Sequence, residues 1–188
     1  MIMALNISKE FANLPDGTAV FVISGLKDPQ KISIQILKTM LKDRTGLYVT
    51  INEPYSSLKS ILKRNKIDDS NMFFIDCITQ KIAGKSERTD KCLFISSPSN
   101  LTELGIAITE ALHAIPGRKK FLFLDTLSTL LVYNKPDAIA RFSHFSISKI
   151  KLMGLAGVFM SVQNEMDAKL QQQISQFSSK VVRIGGDN

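Results

Sequence analysis

The stretch from Gly25 to Ser33, Gly-Leu-Lys-Asp-Pro-Gln-Lys-Ile-Ser, has residue types and spacing that bear on phosphate chemistry. An apolar run, Ala19 to Ile23, leads into it, and an amphipathic stretch, Ile32 to Leu41, follows. Strand, glycine turn and helix is the setting of a phosphate-binding loop with the pattern G-x-x-x-x-G-K-[ST]. Gly25 and Lys31 stand at the right spacing, but the second glycine is Gln30 and the hydroxyl residue is Ile32. Such a loop turns successive backbone N–H groups onto the anion. Gln30 carries a side chain where glycine lets the backbone come close, Pro29 has no N–H to donate, and Asp28 adds a negative charge. Ile32 cannot ligate the magnesium ion that a Ser or Thr holds. Ser33 has a hydroxyl, but one residue further along a helix is a rotation of roughly 100°, so it is expected to point elsewhere unless the loop shifts register.

The elements around this loop follow from periodicity. Val20–Ser24, Leu47–Ile51, Met72–Ile75, Leu93–Ile95, Phe121–Leu124, Gly157–Val162 and Lys180–Ile184 read as strands. Helices are expected over Gln30–Asp43, from Pro54 onward, from a cap at Ser99 or Asn100 to His113, and over Asp137–Leu152 and Glu165–Phe177. Glu103 stands three residues after Asn100, the spacing of a capping box. Cys77–Lys91 is polar and basic and reads as an exposed loop. Apolar strands separated by helices predict an α/β fold with a mainly parallel twisted sheet flanked by helices. Ligand chemistry in such sheets collects at the carboxyl ends of strands. Here those ends are Ser24 and Gly25, Asn52 and Glu53, Asp76, Asp125, and Ser161 to Gln163.

A chain of 188 residues, 44% hydrophobic and without a linker-like tract, is expected to form a single domain over residues 1–188. No apolar run approaches the ~20 residues needed to cross a bilayer, and the first residues do not resemble a signal peptide. A cytoplasmic protein, without membrane partners, is the expectation. Two cysteines, Cys77 and Cys92, do not make a disulfide framework, and no C-x-x-C pair supports a zinc site, so no metal site is expected. The net charge of +7 comes from dispersed residues such as Lys38, Lys42, Arg44, Lys59, Lys63, Lys81, Lys85 and Arg88. No aromatic residues interleave with them as stacking platforms for nucleic acid, so a solvated basic face is the plainer reading. Asp76 is expected to form a turn. His113 and His144 read as ordinary helix residues, and Phe142 and Phe145 as core.

Several strand ends resemble those of the RecA/KaiC-like ATPases. Phe121-Leu-Phe-Leu-Asp125 resembles a Walker B strand, and Thr126 to Leu131 continues it in the manner of that family. Gly46 to Glu53 is similar to the KaiC-like strand that ends in a pair of glutamates, and Ser96–Glu103 and Lys180–Ile184 also look KaiC-like. The motifs run in the family's order from about Thr18 to Ile184. The resemblance implies a RecA/KaiC-like P-loop fold with a degenerate Walker A motif. Active members bind ATP between adjacent subunits of a ring. Carried over by position, Gly25 and Lys31 belong to the phosphate loop, with Ser33 as its nearest hydroxyl, and Asp125 is the magnesium aspartate. The first glutamate position is Asn52, which cannot accept a proton, and the second is Glu53, a candidate general base or a helix-end residue before Pro54.

Three functions compete. The first is a non-catalytic domain that acts as a regulatory or scaffold protein, pairing with itself or with an active KaiC-like ATPase and needing no cofactor. The second is a weak or altered ATPase, with ATP and magnesium bound only if the remodelled loop still admits them. The third is a nucleic-acid-binding module, motivated by the basic charge.

Overall fold

A computed structural model of the chain describes residues 2–84 and 89–185. Lys85 and Arg88 of the basic series, and with them part of the expected loop between Cys77 and Lys91, lie outside the described residues. The elements run α1 (Ile2–Ala12), β1 (Ala19–Ser24), α2 (Gln30–Met40), β2 (Thr45–Thr50), α3 (Tyr55–Arg64), β3 (Met72–Asp76), α4 (Thr79–Ala83) and β4 (Cys92–Phe94). They continue with α5 (Leu101–Ala114), β5 (Lys120–Asp125), a 3-10 helix (Ser128–Val132), α6 (Pro136–Leu152), β6 (Ala156–Val162), α7 (Ala168–Phe177) and β7 (Lys180–Ile184).

The strands form one sheet of seven in the order β4-β3-β2-β5-β6-β1-β7. Every pairing is parallel, as the sequence predicts. All six residues of β1 and of β2 are buried, which is what a strand covered on both faces requires. One face packs on α1, α2 and α3 through residues such as Phe11, Ile36, Leu37, Met40 and Leu62. The other packs on α5, α6 and α7 through Leu104, Ile108, Ile147, Leu170 and Ile174. The edge strand β7 is largely exposed and carries Lys180 and Arg183, charges that blunt edge-to-edge pairing.

Four differences from the sequence reading have local causes. A first helix, α1, precedes β1 and seats Ile7 and Phe11 in the core. Within the expected loop after Cys77, Thr79–Ala83 forms a short helix closed by Gly84 at φ 68°. Helix α7 begins three residues later than predicted, because Asp167 caps it by accepting a hydrogen bond from Leu170 N at 2.8 Å. Phe145, expected in the core, is half exposed, while Phe142 is buried. Of the two candidate caps, Ser99 and Asn100, it is Asn100 that caps α5, accepting from Glu103 N at 3.1 Å. The Glu103 carboxylate accepts from Ser96 N and from the Asn100 side-chain amide rather than from the Asn100 backbone.

Gly46 shows how closely β2 and β5 approach. A Cβ placed on it would lie 2.6 Å from the ring of Phe121, which is fully buried and has nowhere to move. Gly46→Ala is therefore expected to lower stability by about 1–3 kcal/mol in urea unfolding. An unchanged midpoint would contradict this packing.

Candidate functional site

The carboxyl ends of β1, β2, β5 and β6 bring together the loop at 25–33, the Glu53 turn and Asp125. The loop itself is tied to the protein. Gly25 donates its N–H to the Ile184 carbonyl at 2.9 Å, and a Cβ on Gly25 would lie 2.5 Å from Gly185 O and from Gln163 Oε1. The glycine is thus required for close approach to the end of β7. Gly185 has φ 67°, and the Leu26 side chain lies where a Cβ on it would go. Leu26 donates its N–H to Ser24 Oγ at 3.3 Å.

The first turn of α2 is closed in the same way. Pro29 is the N-cap, with no side-chain bond to the helix. Lys31 N donates to Asp28 O at 3.3 Å, and Ile32 N and Ser33 N donate to Pro29 O at 3.0 and 3.3 Å. The Lys31 side chain points to solvent and pairs with Asp28 at 3.6 Å, a surface pair of small energetic weight. Lys31 is therefore not brought to Asp125.

Asp125, Ser33, Glu53 and Tyr48 do converge. Tyr48, stacked on Phe123 at 5.1 Å, donates its hydroxyl to Asp125 Oδ2. Ser33 is buried and its Oγ lies near the Asp125 carboxylate, but outside hydrogen-bond geometry with any partner. Contrary to the expectation that it points elsewhere, the hydroxyl one residue past the motif position lies beside the aspartate. Burial pushes the Asp125 carboxyl up to about 6, and the Glu53 charge adds to the rise, against the pull of the Tyr48 hydroxyl. Burial first, then Asp125, raise Tyr48 well above the usual tyrosine range, so it remains a donor. Tyr48 has no place in the sequence reading. The signal available was its position two residues before Thr50, which pairs with Asp125 across β2 and β5.

Glu53 and Asp76 have structural partners. Glu53 Oε2 accepts from Ser57 Oγ at 2.6 Å in the first turn of α3, and its backbone is held at both N and O by Thr50 Oγ1. Asp76 is fully buried and accepts from Tyr55 N, Ile78 N and Thr79 N at 2.7–2.8 Å. It is a turn former that also pins the start of α3. Asn52 is exposed. Cys77 and Cys92 are buried free thiols. Among the described residues there is no cluster of three or more His, Cys, Asp or Glu suited to a metal ion, and no helix long and apolar enough to cross a membrane.

The raised Asp125 carboxyl has a consequence for stability. A group held above its unfolded value contributes stability that is full below about pH 4 and is lost as pH rises through about 6. At pH 8 the charged carboxylate costs on the order of 2–3 kcal/mol. Asp125→Asn, which can still accept from Tyr48, is expected to gain on wild type between pH 4 and pH 7 in urea unfolding. A stability difference that does not change with pH would contradict this environment.

The architecture recurs among solved structures. The PH0250 protein of Pyrococcus horikoshii OT3 superposes with a TM-score of 0.65 at 12% identity, covering 95% of this chain and 87% of that one. The flagellar accessory protein FlaH of Methanocaldococcus jannaschii does so with a TM-score of 0.66 at 12% identity, covering 97% and 80%. At that identity the likeness is one of fold, and the fold is RecA/KaiC-like. No curated protein sequence matches the chain. The sequence pattern of a family of unknown function, DUF7504, matches residues 17–184, and the chain belongs to that family.

Proposed function

We propose that this chain is a RecA/KaiC-like domain whose Walker A loop is degenerate and which acts as a regulatory or scaffold protein, by pairing with itself or with an active ATPase of the same fold. One observation carries the reading: the N–H groups of Gly25, Leu26, Lys31, Ile32 and Ser33 already bond within the protein. A triphosphate seated there must displace the bonds from Gly25 N to Ile184 O, Lys31 N to Asp28 O and Ile32 N to Pro29 O. At about 1 kcal/mol for each bond, the loss is on the order of 100-fold in affinity relative to an open loop. The exposed Lys31, turned to Asp28, adds to the case. So does the Glu53 carboxylate, engaged by Ser57.

A second reading, a weak or altered ATPase, has its own support in the unpartnered Ser33 hydroxyl beside Asp125. Those two groups are the ones a magnesium ion would use, with ATP supplying the remaining oxygens. On this reading the bonds from Gly25 N, Lys31 N and Ile32 N would have to open before the backbone could receive the phosphates.

Calorimetric titration with Mg-ATP separates the readings. The expected result is no saturable binding at micromolar concentration, with phosphate release at background in wild type, Lys31→Ala and Asp125→Ala alike. Micromolar binding, or hydrolysis that disappears in both variants, would sink the first reading and support the second.

A further inference from the structure

The outer face of the α5/α6 layer carries a groove of about 650 Å3, on the opposite side of the sheet from α2. Gly105 and Phe142 form its floor. A Cβ on Gly105 would come within 3.3 Å of the Phe145 ring, so the glycine keeps the floor low. One wall is the α6 ridge Arg141, Phe145 and Lys149, and the other is the α5 ridge Thr102, Ile106 and Glu110. Both sets are spaced by four residues and so align along their helices. A second groove of about 480 Å3, between α5 and β4, shares Thr102, Ile106 and Glu110. The α5 ridge therefore stands between two grooves.

The central residues of both ridges are apolar and wet: Ile106 is 55% exposed and Phe145 is 50% exposed. Glu110, Arg141 and Lys149 form no ion pair among the described residues. The two ridges are complementary to each other. One reads hydroxyl, apolar, acid; the other reads base, apolar, base.

We propose that two copies of this chain associate through this face about a two-fold axis, the α5 ridge of each seating in the α5/α6 groove of the other. Ile106 of each copy packs on Phe145 of the other. Because bases flank Phe145 on both sides, Glu110 meets a base whichever way the facing helices run. The contact is isologous, so it closes as a dimer and leaves no free copy of the patch. This names the surface for the self-association arm of the proposed function and rests on that arm.

Sedimentation of the full chain tests it. Wild type is expected to show a monomer–dimer equilibrium in the micromolar range. Phe145→Asp is expected to weaken it by about 100-fold with an unchanged circular dichroism spectrum. Glu110→Lys is expected to weaken it by about 10-fold, and adding Arg141→Glu and Lys149→Glu to that variant is expected to restore it. A wild-type chain that stays monomeric overturns the proposal and leaves the groove to a different protein. A dimer that survives Phe145→Asp, or a Glu110→Lys variant of wild-type strength, overturns it too. A monomer that ignores Mg-ATP removes this face while leaving the reading of the loop intact; a dimer that binds Mg-ATP tightly does the reverse.

Discussion

The hydrogen bond from Gly25 N to the Ile184 carbonyl ties the exit of β1 to the end of the edge strand β7. The loop's geometry depends on it. It brings the Gly25 backbone against Gly185 O and Gln163 Oε1, and it lets Leu26 fold over Gly185. From there the chain runs through Asp28 and Pro29 into a helix whose first donors turn back onto the chain's own carbonyls. The β1-turn-helix setting is that of a phosphate-binding loop, yet the N–H groups of Gly25, Leu26, Lys31, Ile32 and Ser33 serve the protein's internal bonding. Gly25 has a structural reason to be glycine that involves no ligand.

The same arrangement explains the electrostatics beside the loop. Asp125 and Glu53 lie close enough for their charges to interact, and burial already disfavours the Asp125 carboxylate. The lysine that could offset them is at the surface with Asp28. Only the Tyr48 hydroxyl, and more loosely the Ser33 hydroxyl, favours the charged form. The result is a carboxyl of raised pKa in the crevice at the strand ends, where ligands bind in sheets of this kind. Among the described residues, the buried Ser33 hydroxyl in that crevice has no hydrogen bond to offset its burial.

The strands were legible because β1, β2, β5 and β6 are buried on both faces through their centres and so carry short apolar runs such as Val20–Ile23, Leu47–Val49, Phe121–Leu124 and Val158–Met160. Their parallel arrangement followed from the helices between them. Less was visible where one side chain decides the outcome. Asp167 rather than Glu165 governs the start of α7 because its carboxylate is placed to accept from Leu170 N. Phe145 looks like a core residue by type, but its position on α6 puts it on the outer rim of a groove. Within the site, the missing glycine and hydroxyl of the motif could be seen directly. The partners that take over the loop could not, because Ile184, Gln163 and Gly185 are distant in sequence and meet Gly25 only through the order of β6, β1 and β7. Tyr48 was hidden for the same reason: its role depends on β2 lying beside β5.

A crystal structure grown with millimolar Mg-ATP analogue is the most direct measurement of whether this loop is closed. The expected map shows Gly25 N still on the Ile184 carbonyl, Leu26 still over Gly185, and no phosphate against Lys31 or Ile32. A triphosphate cradled by those N–H groups, with Gly25 drawn away from β7, would contradict the account.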